Sequence, residues 1–179
     1  MASVKKRLIS VDDYYKMAEV GILNQDDRVE LINGEIIEMS PIGSKHAATV
    51  DKISSVLRAI IKNTMILRVQ NPIRLNNQNE PEPDISLLKY KEDFYSEQHP
   101  TSSDVSIVIE VSDSTLSYDS EVKSVLYASH DIPEYWIVDI ENGSIKVLSD
   151  PNNNVYQTET VPKSIHFMGN QISIDDLLI

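Results

Sequence analysis

Two carboxylates and one amine are the side chains of this sequence that could do chemistry together. Glu110 lies inside the apolar run 107–111, where an ionised carboxylate is costly unless it is paired or bound to a metal ion. Asp84 follows Pro83 at the start of another apolar segment, which suits metal ligation, although such an aspartate by itself more often satisfies turn amides. Lys123 could reach back over the strand of Glu110 or pair with Asp119 four residues earlier, and the two roles are compatible.

Glu30 and His46 are further candidates for the same site. Glu30 precedes an Asn33-Gly34 turn in an alternating segment, so it faces either an interior cleft or, as an edge-strand acid, the solvent. The spacing alone leaves both interpretations open. His46 falls in the first turn of a predicted long helix, where a lone histidine is more often a capping or packing residue than a catalytic one.

The segment from residue 106 to residue 135 must position Glu110 and Lys123. Its β-branched run, 107–111, is typical of a strand that is buried on both faces. Short polar residues follow, from Ser112 to Thr115, and can cap a helix. In that helix Asp119, Lys123 and Tyr127 are spaced four apart and share a face. Strand, turn and helix therefore bring an acid and a base to the same edge of a sheet.

The rest of the chain alternates helical and extended patterns. Ser10 and Asp13 predict a capped helix that ends at Gly21, and a second, long helix is predicted over 44–62. Residues 90–104 are polar and predict a surface loop with one helical turn. Strands are predicted over 28–32, 35–39, 84–88, 132–139, 144–148 and 155–161, with a turn at 150–154 and a short C-terminal unit at 172–179. Residues 65–70 and 73–75 predict either two strands or one bent strand, with the break at Pro72.

Size and composition limit the class of protein. The 179 residues, 41% hydrophobic and 25% charged, predict a single globular domain, 1–179. No apolar run is long enough to span a bilayer, and the N-terminal charges lack the apolar core of a signal peptide. The absence of cysteine fits a cytoplasmic protein, in which oxygen and imidazole ligands would hold any metal. The net charge of −12 argues against strong non-specific DNA binding.

Four local patterns resemble the PD-(D/E)XK nuclease superfamily, and are most similar to its Uma-two branch of restriction-endonuclease-like proteins. They are the 30–35 hairpin, the Glu82-Pro-Asp-Ile segment, the 108–123 segment from Val-Ile-Glu-Val-Ser to Lys123, and the 133–139 segment Pro-Glu-Tyr-Trp-Ile-Val-Asp. In the simplest form of the superfamily motif, lysine stands two residues after the acid. Ser112 occupies that position here, so the resemblance implies that the lysine has moved to the following helix, as Lys123.

The resemblance implies a fold, a site and a reaction. The fold is α/β, a restriction-endonuclease-like central mixed β-sheet flanked by helices, with extra C-terminal strands. Asp84, Glu110 and the backbone carbonyl of Val111 would hold Mg²⁺, or Mn²⁺, while Lys123 orients the attacking water or stabilises the transition state. Glu30 would complete the metal shell or bind a second ion. His46 would be an accessory near the scissile phosphate, whereas Tyr127 would serve packing.

We therefore expect a Mg²⁺-dependent endonuclease that hydrolyses DNA as a homodimer, because duplex cleavage generally uses two active sites. Two alternatives share much of this reasoning. The first is a binding or scaffold protein that keeps the nuclease fold without cleavage, which the acidic net charge favours. The second is a metal-dependent hydrolase of another phosphoester.

Overall fold

A six-stranded mixed sheet forms the centre of the protein. The computed structural model describes residues 5–24 and 26–179, so residues 1–4, part of the segment on which the signal-peptide expectation was based, lie outside it. The strand order is β3-β4-β5-β6-β7-β8, with β5 and β6 parallel and every other neighbouring pair antiparallel. The strands are β3 (Met65–Val69), β4 (Ile85–Lys89), β5 (Val105–Ser112), β6 (Glu134–Asp139), β7 (Ser144–Asn152) and β8 (Val155–Thr160).

Helices and two hairpins surround this sheet. The hairpins are β1 (Val29–Ile32) with β2 (Glu35–Glu38), and β9 (Ser164–Phe167) with β10 (Asn170–Ser173). The helices are α1 (Val11–Glu19), α2 (Ser44–Ile61), α3 (Leu116–Tyr118), α4 (Ser124–Ser129) and α5 (Ile174–Leu177). A π-helical turn, Asp119–Lys123, joins α3 to α4, and a 3₁₀ turn, Ser102–Asp104, precedes β5.

Strand β5 is buried on both faces because a hydrophobic cluster lies on each side of the sheet. Ile107 and Ile109 pack with α2, α5 and the β9–β10 hairpin. Val108 points to the other side, into a cluster that includes Tyr127 and Tyr135. Because side chains alternate along a strand, Glu110 faces the same side as Val108, towards the segment 116–129. The apolar run therefore forms the predicted doubly covered strand with one carboxylate inside it.

Local sequence signals predict several elements correctly. The Ser10 side chain accepts a hydrogen bond from the backbone N–H of Asp13, which confirms the predicted cap of α1. Asn33 and Gly34 both have positive φ, 52° and 73°, as a type I′ turn requires. The loop before β5 contains the single helical turn that was expected. The predicted mixed sheet, flanking helices and extra C-terminal strands are confirmed.

The predicted turn at 150–154 is wrong in its first half. Strand β7 continues to Asn152, with Pro151 paired to Tyr156 of β8, and the chain reverses at Asn153 and Asn154. The prediction relied on composition, because Asp and Pro are typical turn residues. Here Asp150 and Pro151 lie within β7, and the positive φ of Asp150 makes a local irregularity in the strand without ending it. No helix in the described part of the chain is long and apolar enough to cross a membrane.

Candidate active site

The register between β4 and β5 brings Asp84 next to Glu110. Ile85 pairs with Ile109 in this antiparallel ladder, so the next position places Asp84, the residue before β4, opposite Glu110. The backbone N–H of Asp84 lies 3.3 Å from Oε2 of Glu110. The backbone N–H of Val111 donates to Oδ2 of Asp84 at 2.9 Å. Because the N–H and C=O groups of a strand residue point the same way, the Val111 carbonyl is directed to the β4 side of β5, as its N–H is.

Both oxygens of Asp84 are held by hydrogen bonds. Nε2 of His46, in the first turn of α2, lies 2.9 Å from Oδ1, and the Gln70 amide donates to the same atom at 3.2 Å. Burial raises the pKa of Asp84, but the hydrogen bonds from His46, Val111 and Gln70 outweigh burial and leave that pKa below its ordinary value. The same contact with Asp84 raises the pKa of His46. Asp84 is therefore an ionised carboxylate.

Glu110 is buried, with 4% of its surface exposed, and its Oε1 accepts two hydrogen bonds. The Lys123 ammonium donates to Oε1 at 2.9 Å, and the Tyr127 hydroxyl donates to it at 2.8 Å. Burial raises the pKa of Glu110 to about 8, because the attraction of Lys123 does not compensate for desolvation and for the negative charge of Asp84 and other nearby carboxylates. This carboxylate would gain from a further positive charge beside it.

Lys123 is held between two buried carboxylates. Its Nζ lies 3.2 Å from Oε1 of Glu30, in addition to its contact with Glu110. Burial opposes the charged form of this amine, which is 6% exposed, but Glu110 and Glu30 outweigh burial and raise the pKa of Lys123. Glu30 is 2% exposed, and its Oε2 accepts the backbone N–H of Glu82. The structure thus favours the interior orientation of Glu30 over the solvent-facing one.

The π-helical turn places Lys123 at the site and separates it from Asp119. The alternative role considered for Lys123, an ion pair with Asp119, is not the one observed, because its ion pairs are with Glu30 and Glu110. Oδ2 of Asp119 instead accepts hydrogen bonds from the Ser112 and Thr115 hydroxyls, at 2.7 Å each. A π turn contains more residues than an α turn, so side chains four apart no longer lie directly above one another. Such turns occur frequently at functional sites.

All the predicted site residues line one cavity of about 170 Å³. Its wall contains more acidic than basic side chains: Glu30, Glu38, Glu82, Asp84, Glu110, Asp113 and Asp119 against Arg28, His46 and Lys123. Val111 contributes to the same wall. Burial and the neighbouring Glu30 raise the pKa of Glu82. An excess of carboxylates around one cavity favours the binding of a cation.

Two polar contacts at this site were missed in the sequence. Tyr127 was expected to serve packing, yet its hydroxyl binds Glu110; its spacing of four from Lys123 was the available signal. Gln70 had no signal, because it follows a strand and reaches Asp84 only through a positive φ of 50°. Asp84, Glu110, Val111, Lys123, Glu30 and His46 do come together, and their catalytic and metal-binding roles stay predictions.

Comparison with known proteins identifies the family. The model of the Uma2 family, described as "Putative restriction endonuclease", matches residues 11–178. The chain belongs to the Uma2 family. The crystal structure of "a putative nuclease belonging to DUF820" from Anabaena variabilis shares the Uma2 chain's fold, with a TM-score of 0.72 and 19% identity, over 94% of this chain and 97% of that one. No curated protein matches the chain.

Membership in Uma2 confirms the resemblance to the Uma-two group that was found in the sequence. The family match covers α1 to α5, and therefore every residue that lines the cavity. The structural similarity establishes that the Uma2 chain has the fold of that nuclease-like neighbour. A shared fold does not by itself establish a reaction, which depends on the side chains of the cavity.

Proposed function

We propose that this protein is a Mg²⁺-dependent endonuclease that hydrolyses phosphodiester bonds in DNA. One observation carries the proposal: Asp84, Glu110 and Lys123 meet at one cavity, with the Lys123 amine 2.9 Å from Oε1 of Glu110 and the Asp84 amide 3.3 Å from its Oε2. Two acids and an amine that converge in this way suit phosphoryl chemistry, which needs a cation site and positive charge near the phosphate. The family description agrees with this reaction class.

The residues present fit a hard divalent cation. Asp84, Glu110 and the Val111 carbonyl would hold Mg²⁺ or Mn²⁺ through oxygen atoms. No group of three or more His, Cys, Asp and Glu side chains in residues 5–24 and 26–179 has an arrangement that could hold a metal ion. Proteins often bind Mg²⁺ through one or two carboxylates together with water and substrate phosphates. The raised pKa of Glu110 also indicates a carboxylate with too little positive charge around it.

The remaining side chains would position and neutralise the substrate. A bound Mg²⁺ would supply Lewis acidity towards the phosphate and an activated water. Lys123 keeps its proton, and its ammonium has three N–H groups, so contacts with Glu110 and Glu30 leave one for a phosphate oxygen. Glu30 acts here by holding Lys123. His46 orients Asp84 and, at the cavity wall, is the accessory group nearest to that acid.

Plasmid nicking tests this proposal. Supercoiled DNA is incubated with Mg²⁺ and the wild-type protein, an Asp84→Asn variant, or an Asp51→Asn variant purified in the same way. Asp51 is an exposed residue of α2 and serves as the matched control. We expect Asp84→Asn to lower the nicking rate roughly 100-fold or more, because it removes a charge on which the cation site depends. Equal nicking by all three proteins would reject the site.

A catalytically inactive binding or scaffold protein is the second candidate. The net charge of −12 and the acidic cavity favour it, since both disfavour an extended DNA duplex. Calorimetric titration with Mn²⁺ separates the two candidates. Binding that disappears in Glu110→Ala supports the nuclease and counts against the scaffold. Hydrolysis of a small phosphodiester without plasmid nicking would instead support the phosphoester hydrolase.

The proposed assembly rests on the family resemblance, and the proposed location rests on composition. We propose a cytoplasmic homodimer, because a duplex has two strands to cut and the sequence has no cysteine for disulfides. Light scattering coupled to size exclusion tests the dimer. A mass near 20.2 kDa would be that of a monomer and would contradict it.

A further inference from the structure

Tyr127 makes a contact that its role in packing does not require. Its ring is fully buried, and its hydroxyl donates to Oε1 of Glu110 at 2.8 Å. A phenol keeps its proton at neutral pH and a carboxylate oxygen accepts, so the Tyr127 hydroxyl is the donor in this contact. A phenylalanine would fill the same space without this hydrogen bond.

Three tyrosines, Tyr127, Tyr135 and Tyr156, form a cluster behind the site, and each hydroxyl has a different acceptor. Tyr127 meets Tyr135 edge to face with ring centres 4.9 Å apart, and Tyr135 stacks on Tyr156 with ring centres 6.3 Å apart. The Tyr135 hydroxyl donates to the backbone carbonyl of Asp119, the first residue of the π-helical turn. The Tyr156 hydroxyl donates to the carbonyl of Ile132, away from the cavity residues. Within this cluster, Tyr127 is the tyrosine that contacts Glu110.

The two oxygens of the Glu110 carboxylate differ in their hydrogen bonds. Oε1 accepts from Tyr127 at 2.8 Å and from Lys123 at 2.9 Å. Oε2 has the long 3.3 Å contact with the Asp84 amide. Because Oε1 already has two short hydrogen bonds, Oε2 is the oxygen that can take a cation with the smaller loss.

We propose that Tyr127 is a positioning residue, which holds Oε1 of Glu110 and so directs Oε2 to the cation. The inference rests on the proposed cation site. Side chains that hydrogen-bond to metal ligands commonly fix ligand orientation, and their loss weakens metal affinity by roughly 10- to 100-fold. Lys123 continues to hold Oε1 when the hydroxyl is removed, so the lower end of this range applies.

Calorimetric titration of Mn²⁺ into the wild type, Tyr127→Phe and Tyr156→Phe tests this role. Both variants lose one hydroxyl from the same tyrosine cluster and keep the ring, so Tyr156→Phe is the matched control. We expect Tyr127→Phe to weaken Mn²⁺ binding roughly tenfold, while Tyr156→Phe binds as the wild type does. Thermal unfolding without metal shows whether the two variants lose similar stability.

The possible outcomes separate this role from the proposed function. If the wild type binds Mn²⁺ and Tyr127→Phe binds it with the same affinity, the positioning role alone is overturned. Equal weakening in both variants also overturns it, because a general loss of packing would then be the cause. Absence of Mn²⁺ binding by the wild type overturns both proposals. In the nicking assay we expect Tyr127→Phe to lower kcat with little change in KM.

Discussion

Replacement of Lys123 by methionine should destabilise the protein strongly in the absence of divalent cations. The ammonium is 6% exposed and lies 2.9 Å from Glu110 and 3.2 Å from Glu30, which are themselves 4% and 2% exposed. Removing one partner of a buried ion pair leaves an uncompensated charge and costs about 3–5 kcal/mol. Typical domains unfold with about 5–15 kcal/mol, so the loss is a large fraction of the whole. Methionine keeps most of the aliphatic volume.

Urea denaturation in EDTA, at a pH above the raised pKa of Glu110 so that both carboxylates are charged, measures this loss. Trp136 is the single tryptophan and is fully buried, so its fluorescence reports on the sheet. With a urea dependence of about 2 kcal/mol per molar, a loss of about 4 kcal/mol moves the midpoint down by about 2 M. Circular dichroism recorded on the same samples should give a coincident transition, which also tests the prediction of one domain over 1–179.

A double-mutant cycle isolates the electrostatic part of this prediction. In the double variant Lys123→Met/Glu110→Gln, the second substitution removes one of the two carboxylates that the first leaves unpaired. The double variant should therefore lose less free energy of unfolding than the sum of the two single variants, by about 1–3 kcal/mol. Costs that add within about 0.5 kcal/mol would refute the reasoning. A loss below about 1 kcal/mol for Lys123→Met alone would refute it as well, because the amine would then be solvated rather than buried between acids.

Two other predictions concern Gly34 and Glu110. Gly34→Ala should cost about 1–3 kcal/mol in urea denaturation, because φ is +73° and the new Cβ would lie 2.7 Å from Leu8 Cβ; Gly143→Ala, with positive φ but open space, should cost less. In EDTA, stability should fall as pH rises from about 4.5 to about 8, because folded Glu110 keeps a proton that the unfolded chain releases. Glu110→Gln should flatten this part of the profile, and an unchanged slope in that variant would contradict the assignment.

Short-range sequence patterns were sufficient to predict most of the helices, strands and turns of the fold. The Ser10 cap, the Asn33-Gly34 turn and the β-branched run of β5 each depend on residues close in sequence, so their patterns predict the observed elements. Residues 150–151 show where this fails. Turn-forming residue types there were overruled by pairing with β8, which is a tertiary effect that composition does not contain.

The candidate site was predictable in its membership and less so in its contacts. Asp84 and Glu110 could be placed together because the family resemblance implied that both acids hold one metal ion, whereas the antiparallel register of β4 and β5 was not predicted. The ion-pair partner of Lys123 could not be predicted, because ideal helical spacing favours Asp119 and a π turn leaves no clear pattern in the sequence. The burial of Glu30 depends on the segment around Glu80, whose backbone pairs with Leu31 across the outer side of the hairpin.

The π-helical turn has a consequence for how this helix can vary in length. Each residue of an α-helix advances the side-chain direction by roughly 100°. A single-codon deletion within Asp119–Lys123 would therefore rotate Asp119, which Ser112 and Thr115 hold, relative to Lys123, which holds Glu110, so the two sets of contacts could not both persist. Length variation should be tolerated in the loop after α4 but not here, so related chains aligned across this segment should show no gaps within it.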